Sequence, residues 1–267
     1  MTAKNPESTL YYTKEGNGKK NLLLFHGFGQ DHTAFDAIRD DLGQLYTLYS
    51  FDLYFHGRSL WPKGDKPIRK EEWENILTDF LQTNKIDSFS MAGFSIGTKF
   101  LLATLEAFPA QTEELFLIAP DGIKPDFWYN VSTRTALFRN LFKSLINRPG
   151  WFFMLLNGLQ RLRILPKEVI QFARSQMRTP EKRSQVYHSW VVFRELRVHA
   201  HQTAHVINQY HIPVNVLIGK HDRIIDEKKV APLLQHLEQY SLDIEESGHH
   251  QLLKRESLQK FFLKGRL

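Results

Sequence analysis

The sequence of 267 residues contains no cysteine. This absence excludes disulfide bonds, thiolate metal sites and a cysteine nucleophile. No apolar run approaches the length that a bilayer requires, and residues 1–8 lack the apolar core of a secretory signal or a transit peptide. We therefore expect a cytoplasmic protein with no transmembrane segment, although a lack of cysteine is also compatible with the periplasm.

The remaining composition is that of an ordinary globular protein. Hydrophobic residues make up 42% of the chain and charged residues 24%. A chain of this length can bury a substantial core, either as one α/β domain or as a domain with a large insertion.

The net charge of +6 is unevenly distributed. Residues 123–209 contain 14 Lys and Arg against 4 Asp and Glu, a balance of +10, which leaves 21 against 25, or −4, for the rest. This basic excess could attract an anionic substrate, an acidic partner or a membrane surface; alternatively, it forms the solvated faces of amphipathic helices. No nucleic-acid-binding motif accompanies it, so we predict no binding of nucleic acid.

Apolar segments alternate with helical patterns through most of the chain. The pattern predicts strands at 10–12, 21–25, 46–53, 89–92, 115–119, 214–218 and 242–244. The first two are joined by a glycine-containing turn at 16–20. Strands that alternate with helices indicate a largely parallel sheet covered by helices on both faces.

The alternation is interrupted between residues 123 and 209. Helical patterns there cover 128–146, 151–162, 167–177 and 181–207, with no strand pattern between them. We interpret this segment as a helical cap inserted into a core domain of residues 1–122 and 210–267. The cap is rich in aromatic side chains, and we expect a few of them to line an apolar pocket.

One serine lies between a predicted strand and a predicted helix, within Gly93-Phe94-Ser95-Ile96-Gly97. A sharp strand-to-helix turn holds the serine backbone in a strained conformation, which tolerates only small flanking residues, and it projects the hydroxyl above the sheet. This arrangement is typical of a nucleophile elbow.

A serine hydroxyl needs a base to accept its proton, and the base needs a carboxylate to orient it. His249 and Asp222 both follow predicted strands, and the carboxyl ends of parallel strands meet at one edge of a sheet. The developing oxyanion also needs two backbone donors. We expect these to be the N–H of Ile96 and the N–H of Phe28, in the loop after an earlier strand.

Taken together, these segments resemble the α/β-hydrolase fold over nearly the whole chain. The resemblance rests on His26-Gly27-Phe28-Gly29, residues 52–59, the serine turn, residues 219–222 and Gly248-His249, in the family's order. It implies an α/β-hydrolase core with an inserted all-helical cap and the triad Ser95, Asp222 and His249. The serine nucleophile differs from the aspartate of haloalkane dehalogenases and epoxide hydrolases. Thr98 departs from the family, in which many members have glycine.

Several other residues compete for these roles. Asp121 also follows a predicted strand and is the alternative acid, while His250 adjoins His249 without a preceding glycine. His26 and Asp52 fit loop-bracing roles, and Asp226 fits a helix cap. His201 and His205 share a helical face, but we predict no metal site because a third ligand is missing.

The resulting hypothesis is a hydrolase that cleaves a carboxylester or thioester of a small, largely apolar substrate, with or without an anionic group, and that needs no cofactor or metal. Arg134 or Arg194 could pair with an acidic group of that substrate. The same triad also supports carbon–carbon bond hydrolysis or lyase chemistry, and the same fold can serve as a small-molecule receptor. The sequence alone leaves these alternatives and the oligomeric state open.

Overall fold

The structure, a computed structural model, describes residues 2–5, 8–124, 127–162, 164 and 167–264. Contacts between Cα atoms divide the chain into two compact units. Unit 1 consists of residues 1–63, 69–124 and 196–267, and unit 2 consists of residues 64–68 and 125–195. The helical segment predicted for 123–209 therefore contributes its last helix to unit 1.

Unit 1 is built on one sheet, with eight strands among the described residues. They are β1 (Thr2–Asn5), β2 (Ser8–Glu15), β3 (Lys20–Phe25), β4 (Tyr46–Phe51), β5 (Phe89–Phe94), β6 (Thr112–Ile118), β7 (Val214–Gly219) and β8 (Ser241–Glu245). Their order is β1-β2-β4-β3-β5-β6-β7-β8, and every pairing from β4 to β8 is parallel. The predicted α/β class with a mostly parallel sheet is confirmed.

The first strands are arranged differently from their order in the sequence. β2 and β3 are joined by a short turn, but β4 lies between them and pairs antiparallel with β2. The physical reason lies in β3, whose last four residues are all buried and which pairs with parallel neighbours on both sides. The short strand β1 was not predicted.

In the sequence, the helices of unit 1 lie between consecutive strands, and the last helix comes after β8. They are α1 (Arg39–Gly43), α2 (Lys70–Asn84), α3 (Gly97–Ala107), α9 (Ala200–Gln209), α10 (Glu227–Leu234) and α11 (Arg255–Leu263), numbered over the whole chain. A 3₁₀ segment, His32–Ile38, precedes α1, and another, His249–Leu253, precedes α11. The apolar sides of α2 and α3 contain fully buried residues such as Trp73 and Phe100, whose rings lie 5.0 Å apart.

Unit 2 is helical over the residues that the structure describes. Its helices are α4 (Phe127–Arg134), α5 (Ala136–Asn147), α6 (Pro149–Arg161), α7 (Lys167–Gln176) and α8 (Pro180–Val192). Its buried cluster contains Ile146, Met177, Tyr187 and Val191, with Phe142, Phe152 and Phe153 packed against it. The side chains of Phe127, Trp128 and Phe172, three of the aromatic residues of the predicted cap, lie outside the described residues.

Two long predicted helices are interrupted in the structure. The helix predicted for 128–146 is split at Thr135, whose hydroxyl accepts a hydrogen bond from the Phe138 N–H and caps α5. The helix predicted for 181–207 stops after Val192, and a 3₁₀ turn, Phe193–Glu195, separates α8 from α9. None of the described helices combines the length and the apolar character that a bilayer crossing needs.

Candidate active site

Ser95 occupies a strained turn between β5 and α3. Its φ is 51°, in the left-handed region that non-glycine residues rarely adopt. The turn is held by hydrogen bonds from the Ser95 N–H to the Ile118 carbonyl and from the Thr98 and Asp121 N–H groups to the Ser95 carbonyl. Ser95 is partly exposed, whereas residues 91–94 and 96–100 are buried. The backbone is therefore fixed while the hydroxyl remains accessible.

The glycine on the helix side of Ser95 is required by a close approach of two chain segments. A Cβ added at Gly97 would lie 2.2 Å from the Phe25 carbonyl oxygen and 2.5 Å from that of His26. Gly97 therefore brings α3 against the end of β3. At Thr98 the departure from the family is accommodated, since its side chain is buried and its hydroxyl donates to the Gly93 carbonyl.

Asp222 follows β7 and is fixed by its own loop. One carboxylate oxygen accepts hydrogen bonds from the N–H groups of Ile224 and Ile225 at 2.8 and 2.9 Å. The other lies 2.5 Å from His249 Nδ1. The side chain of Asp222 is fully buried. Two backbone donors therefore hold the carboxylate in place and leave its second oxygen for the imidazole.

His249 follows β8 and connects the carboxylate with the serine. Its Nε2 lies 3.1 Å from Ser95 Oγ. Because Nδ1 donates its proton to Asp222, Nε2 has a lone pair that can accept the serine proton. The ring packs against Phe94, with the centroids 4.8 Å apart. The structure thus joins Ser95, His249 and Asp222, separated by up to 154 residues, in one chain of hydrogen bonds.

The two residues expected to donate to the oxyanion are Ile96 and Phe28. Ile96 follows Ser95 directly, and Phe28 lies in the loop after β3, which Gly97 approaches closely. Among the described residues, no group accepts a hydrogen bond from either backbone N–H. A free backbone N–H is what the expected role as oxyanion donor requires of each residue.

Asp52 braces the loops beside the serine turn. Its carboxylate accepts hydrogen bonds from the N–H and Nδ1 of His32 and from the N–H of Arg58. A Cβ at Gly57 would lie 2.0 Å from this carboxylate, so the loop requires glycine there. Asp31, His32 and Asp52 form the three-ligand group that the described residues offer to a metal, but hydrogen bonds within the loops already engage their carboxylates.

Two buried histidines lie under the Phe28 loop. The Nδ1–H of His26 donates to the Gly27 carbonyl and its Nε2 accepts from the Leu53 N–H. Burial, followed by the nearby His56, lowers the pKa of His26 to about 3. Burial likewise lowers the pKa of His56, whose ring meets that of Phe28 edge to face, to about 4. Both rings are therefore neutral at pH 7 and support the loop without adding charge.

Asp121, the alternative acid, has a different partner. Its carboxylate lies 3.7 Å from Lys99 Nζ, while its N–H holds the serine turn. Lys99, a buried cation on α3, is not among the residues predicted for the site. A lysine among the apolar positions of this helix was the signal that could have identified it.

The remaining candidates lie outside this hydrogen-bonded chain. His250 is exposed, although partial desolvation of its ring, followed by the adjacent His249, lowers its pKa. Asp226 caps α10 by accepting from the Lys229 N–H. His201 and His205 are exposed.

The two arginines suggested as partners of an acidic substrate group lie in unit 2. Burial, followed by the nearby Arg139, lowers the pKa of Arg194, whose guanidinium donates to the Val191 carbonyl. Arg134 is exposed at the end of α4.

Comparisons with known proteins agree with the fold described above. A sequence profile described as alpha/beta hydrolase fold matches residues 20–256. Lipase 1 of Psychrobacter immobilis is 26% identical over 247 residues, which cover 90% of this chain and 74% of the lipase. The pimeloyl-[acyl-carrier protein] methyl ester esterase of Salmonella newport is 30% identical over 129 residues, 44% of this chain and 47% of the esterase.

Solved structures extend the fold similarity to almost the whole chain. A thermophilic esterase from Thermogutta terrifontis superposes with a TM-score of 0.66 at 17% identity, covering 96% of this chain and 94% of the esterase. The match to uncharacterized mycobacterial proteins, at 28% identity, spans only 30% of their length.

Proposed function

Because the chain belongs to the α/β-hydrolase fold family, we propose that it is a serine hydrolase that cleaves an ester-type bond of a small, largely apolar substrate. The observation that carries this proposal is the continuous hydrogen-bonded chain from Ser95 through His249 to Asp222. An esterase and a lipase among the similar proteins support the bond type. We assign unit 2 the role of the inserted helical cap that sets specificity.

The reaction begins with attack of Ser95 Oγ on the carbonyl carbon of the substrate. His249 Nε2 accepts the serine proton, and Asp222 stabilises the imidazolium that forms. The N–H groups of Ile96 and Phe28 donate to the oxyanion. When the carbon–oxygen or carbon–sulfur bond breaks, His249 returns the proton to the leaving group and an acyl-serine remains. Water, deprotonated by His249, then releases the acid and restores Ser95.

The test is a Ser95→Ala substitution assayed with short p-nitrophenyl esters. We expect kcat to fall by about 10⁴-fold or more, because the nucleophile is lost while the fold is retained. Ser90→Ala is the matched control, since Ser90 is a buried serine on the same strand, β5, five residues earlier. We expect this control to retain wild-type turnover.

Active-site labelling separates the competing functions. A fluorophosphonate probe should label the wild-type protein and Ser90→Ala but not Ser95→Ala. Labelling without multiple turnover on any ester or thioester would indicate a receptor or a different bond type. Undiminished turnover by a purified, folded Ser95→Ala protein would contradict the mechanism.

A further inference from the structure

Unit 2 exposes large apolar side chains on two consecutive helices and the segment after them. These residues are Leu137, Phe138, Leu141, Trp151, Met154, Leu162 and Ile164, which we call the α5–α6 apolar surface. The exposure is high, reaching 74% for Leu137, 63% for Trp151 and 71% for Leu162. Burying these side chains in an apolar phase would be favourable, so an exposed group of them indicates a binding surface.

The spacing of these residues places them on helix faces that do not serve the core of unit 2. On α5, Leu137 and Leu141 are one turn apart, whereas Ile146 belongs to the buried cluster and Phe142 packs against it. On α6, Trp151 and Met154 are again about one turn apart, whereas Phe152 and Phe153 pack against that cluster. Each helix therefore has apolar side chains that remain exposed in addition to those buried against the core of unit 2.

The charge carried by the helices of this surface is positive, and Lys143 on α5 is already paired with Asp65 of the same unit, 2.9 Å away. Residues 127–164 contain no Asp or Glu and six basic residues, Arg134, Arg139, Lys143, Arg148, Arg161 and Arg163. Arg148 and Arg161 are exposed at the ends of α6 and have no acidic partner in the part of the chain that the structure describes. A partner for this surface must offer both an apolar phase and negative charge.

A second copy of the chain does not meet this requirement. In a symmetric dimer the same patch would face itself, which would bring the arginines of both copies together without carboxylates to neutralise them. Leucine, methionine and tryptophan side chains bordered by arginine are instead typical of helices that lie in the headgroup region of a bilayer. Tryptophan is suited to this region because its ring is apolar and its N–H is polar.

We propose that α5 and α6 form a membrane-surface binding site, which inserts the α5–α6 apolar surface between the headgroups of anionic phospholipids. Arg148 and Arg161 contact the lipid phosphates. The helices lie along the membrane, and the protein binds it reversibly. This inference does not depend on the proposed hydrolase activity.

The first test measures binding of the full-length protein to vesicles by flotation. Vesicles of phosphatidylcholine with about 30% phosphatidylglycerol should bind at least about tenfold more protein than pure phosphatidylcholine at low salt, because anionic lipids attract basic residues near the surface. Binding should weaken as salt is added. Equal binding to both vesicles, or no binding to the anionic ones, would overturn the proposal.

A substitution series separates the apolar and the electrostatic contributions. The triple variant Leu137→Ser, Trp151→Ser and Leu162→Ser should bind at least about tenfold more weakly, because it removes apolar area. A matched control carries Leu45→Ser, Leu60→Ser and Tyr240→Ser, three exposed residues of unit 1, and should bind like the wild type. Thermal unfolding verifies that each variant is folded.

The charge variant is Arg148→Glu with Arg161→Glu, which we compare with Lys19→Glu and Lys228→Glu in unit 1. The four positions are exposed, so none of the changes disturbs a core. We expect at least about tenfold weaker binding to anionic vesicles for the arginine pair and a much smaller loss for the lysine pair. Equal losses in both pairs would show that net charge alone causes binding, which contradicts a defined surface.

A third measurement uses the wild-type protein and one conservative variant at an exposed position. Trp151 is the tryptophan that is exposed among the described side chains, so brominated lipids should quench its emission, and Trp151→Phe should lose most of this quenching. Unchanged quenching in Trp151→Phe would contradict insertion at α6. A dimer in sedimentation experiments that the triple Ser variant abolishes, without vesicle binding, would show that a second copy covers the surface instead.

Discussion

Asp222 determines the tautomer of His249 through a single carboxylate oxygen, because its other oxygen is occupied by two backbone N–H groups. We expect Asp222→Asn to lower kcat by about 10³- to 10⁴-fold, because an amide NH₂ at that position favours the wrong imidazole tautomer. The measurement is ester hydrolysis at pH 7 by the purified variant.

The control for this substitution is Asp121→Asn, which makes the same change at the alternative acid. Asp121 lies beside Lys99 and is about one-third exposed, at 36%. We therefore expect less than about a tenfold change in kcat, since only a partly solvated ion pair is lost. A larger loss for Asp121→Asn than for Asp222→Asn would reverse the assignment of the acid.

The buried histidines make stability depend on pH. In the unfolded chain a histidine has a pKa near 6.5, whereas folding lowers that of His56 to about 4 and that of His26 to about 3. Below pH 6.5 the unfolded state binds protons that the folded state does not, so the free energy of unfolding falls as pH falls from about 6.5 towards 4.

We expect His56→Gln to reduce this dependence by about 1.4 kcal/mol per pH unit between roughly pH 4.5 and 6, because one proton fewer binds on unfolding. Urea unfolding of the wild-type and variant proteins at pH 5, 6 and 7 measures the slopes. His205→Gln is the control, which makes the same substitution at an exposed histidine. Identical slopes for wild type and His56→Gln would contradict a neutral buried ring.

At the scale of elements, the position of the nucleophile depends on how closely α3 approaches β3. Gly97 permits this approach, because any Cβ there would overlap the backbone of residues 25 and 26. We expect Gly97→Ala to destabilise the protein by about 2 to 4 kcal/mol, since the backbone can relieve the overlap only by moving. Chemical denaturation measures the loss, and ester hydrolysis should fall with it.

Gly158 on α6, unlike Gly97, has room for a larger side chain. A Cβ there meets nothing within 4 Å, and the residue lies within a helix. We expect Gly158→Ala to stabilise unit 2 by about 0.5 to 1 kcal/mol, because alanine loses less backbone entropy in a helix. If Gly97→Ala proved as stable as Gly158→Ala, the close approach at the serine turn would be wrong.

At the scale of the whole molecule, we propose that the uneven charge gives the protein a preference for anionic substrates. Added salt screens the attraction between the basic residues and an anionic substrate. It should therefore lower kcat/KM for a carboxylate-bearing ester by about threefold to tenfold between roughly 0.02 and 0.5 M salt. A neutral ester of the same chain length is the control and should change little. Equal salt dependence, and equal rates for both esters at low salt, would exclude an anionic preference.

The local sequence determined much of the fold and the composition of the candidate site. Buried strands such as β3, β5 and β7 are short apolar runs, and their periodicity depends only on neighbouring residues. The serine turn was predictable because its glycines lie within two residues of Ser95. Asp222 and His249 were predictable as residues that follow strands, given that parallel strands end at the same edge.

Tertiary structure decided what depends on residues far apart in the chain. β4 lies between β2 and β3 because β3 is a buried strand with a parallel neighbour on each side. The turn that joins β2 to β3 carries no signal for this strand order. The selection of Asp222 rather than Asp121 as the partner of His249 depends on a 2.5 Å contact across 27 residues. The break before α9 and the exposure of Trp151 likewise follow from packing, because an apolar residue in a helix has the same local pattern whether its face is covered or left to a partner.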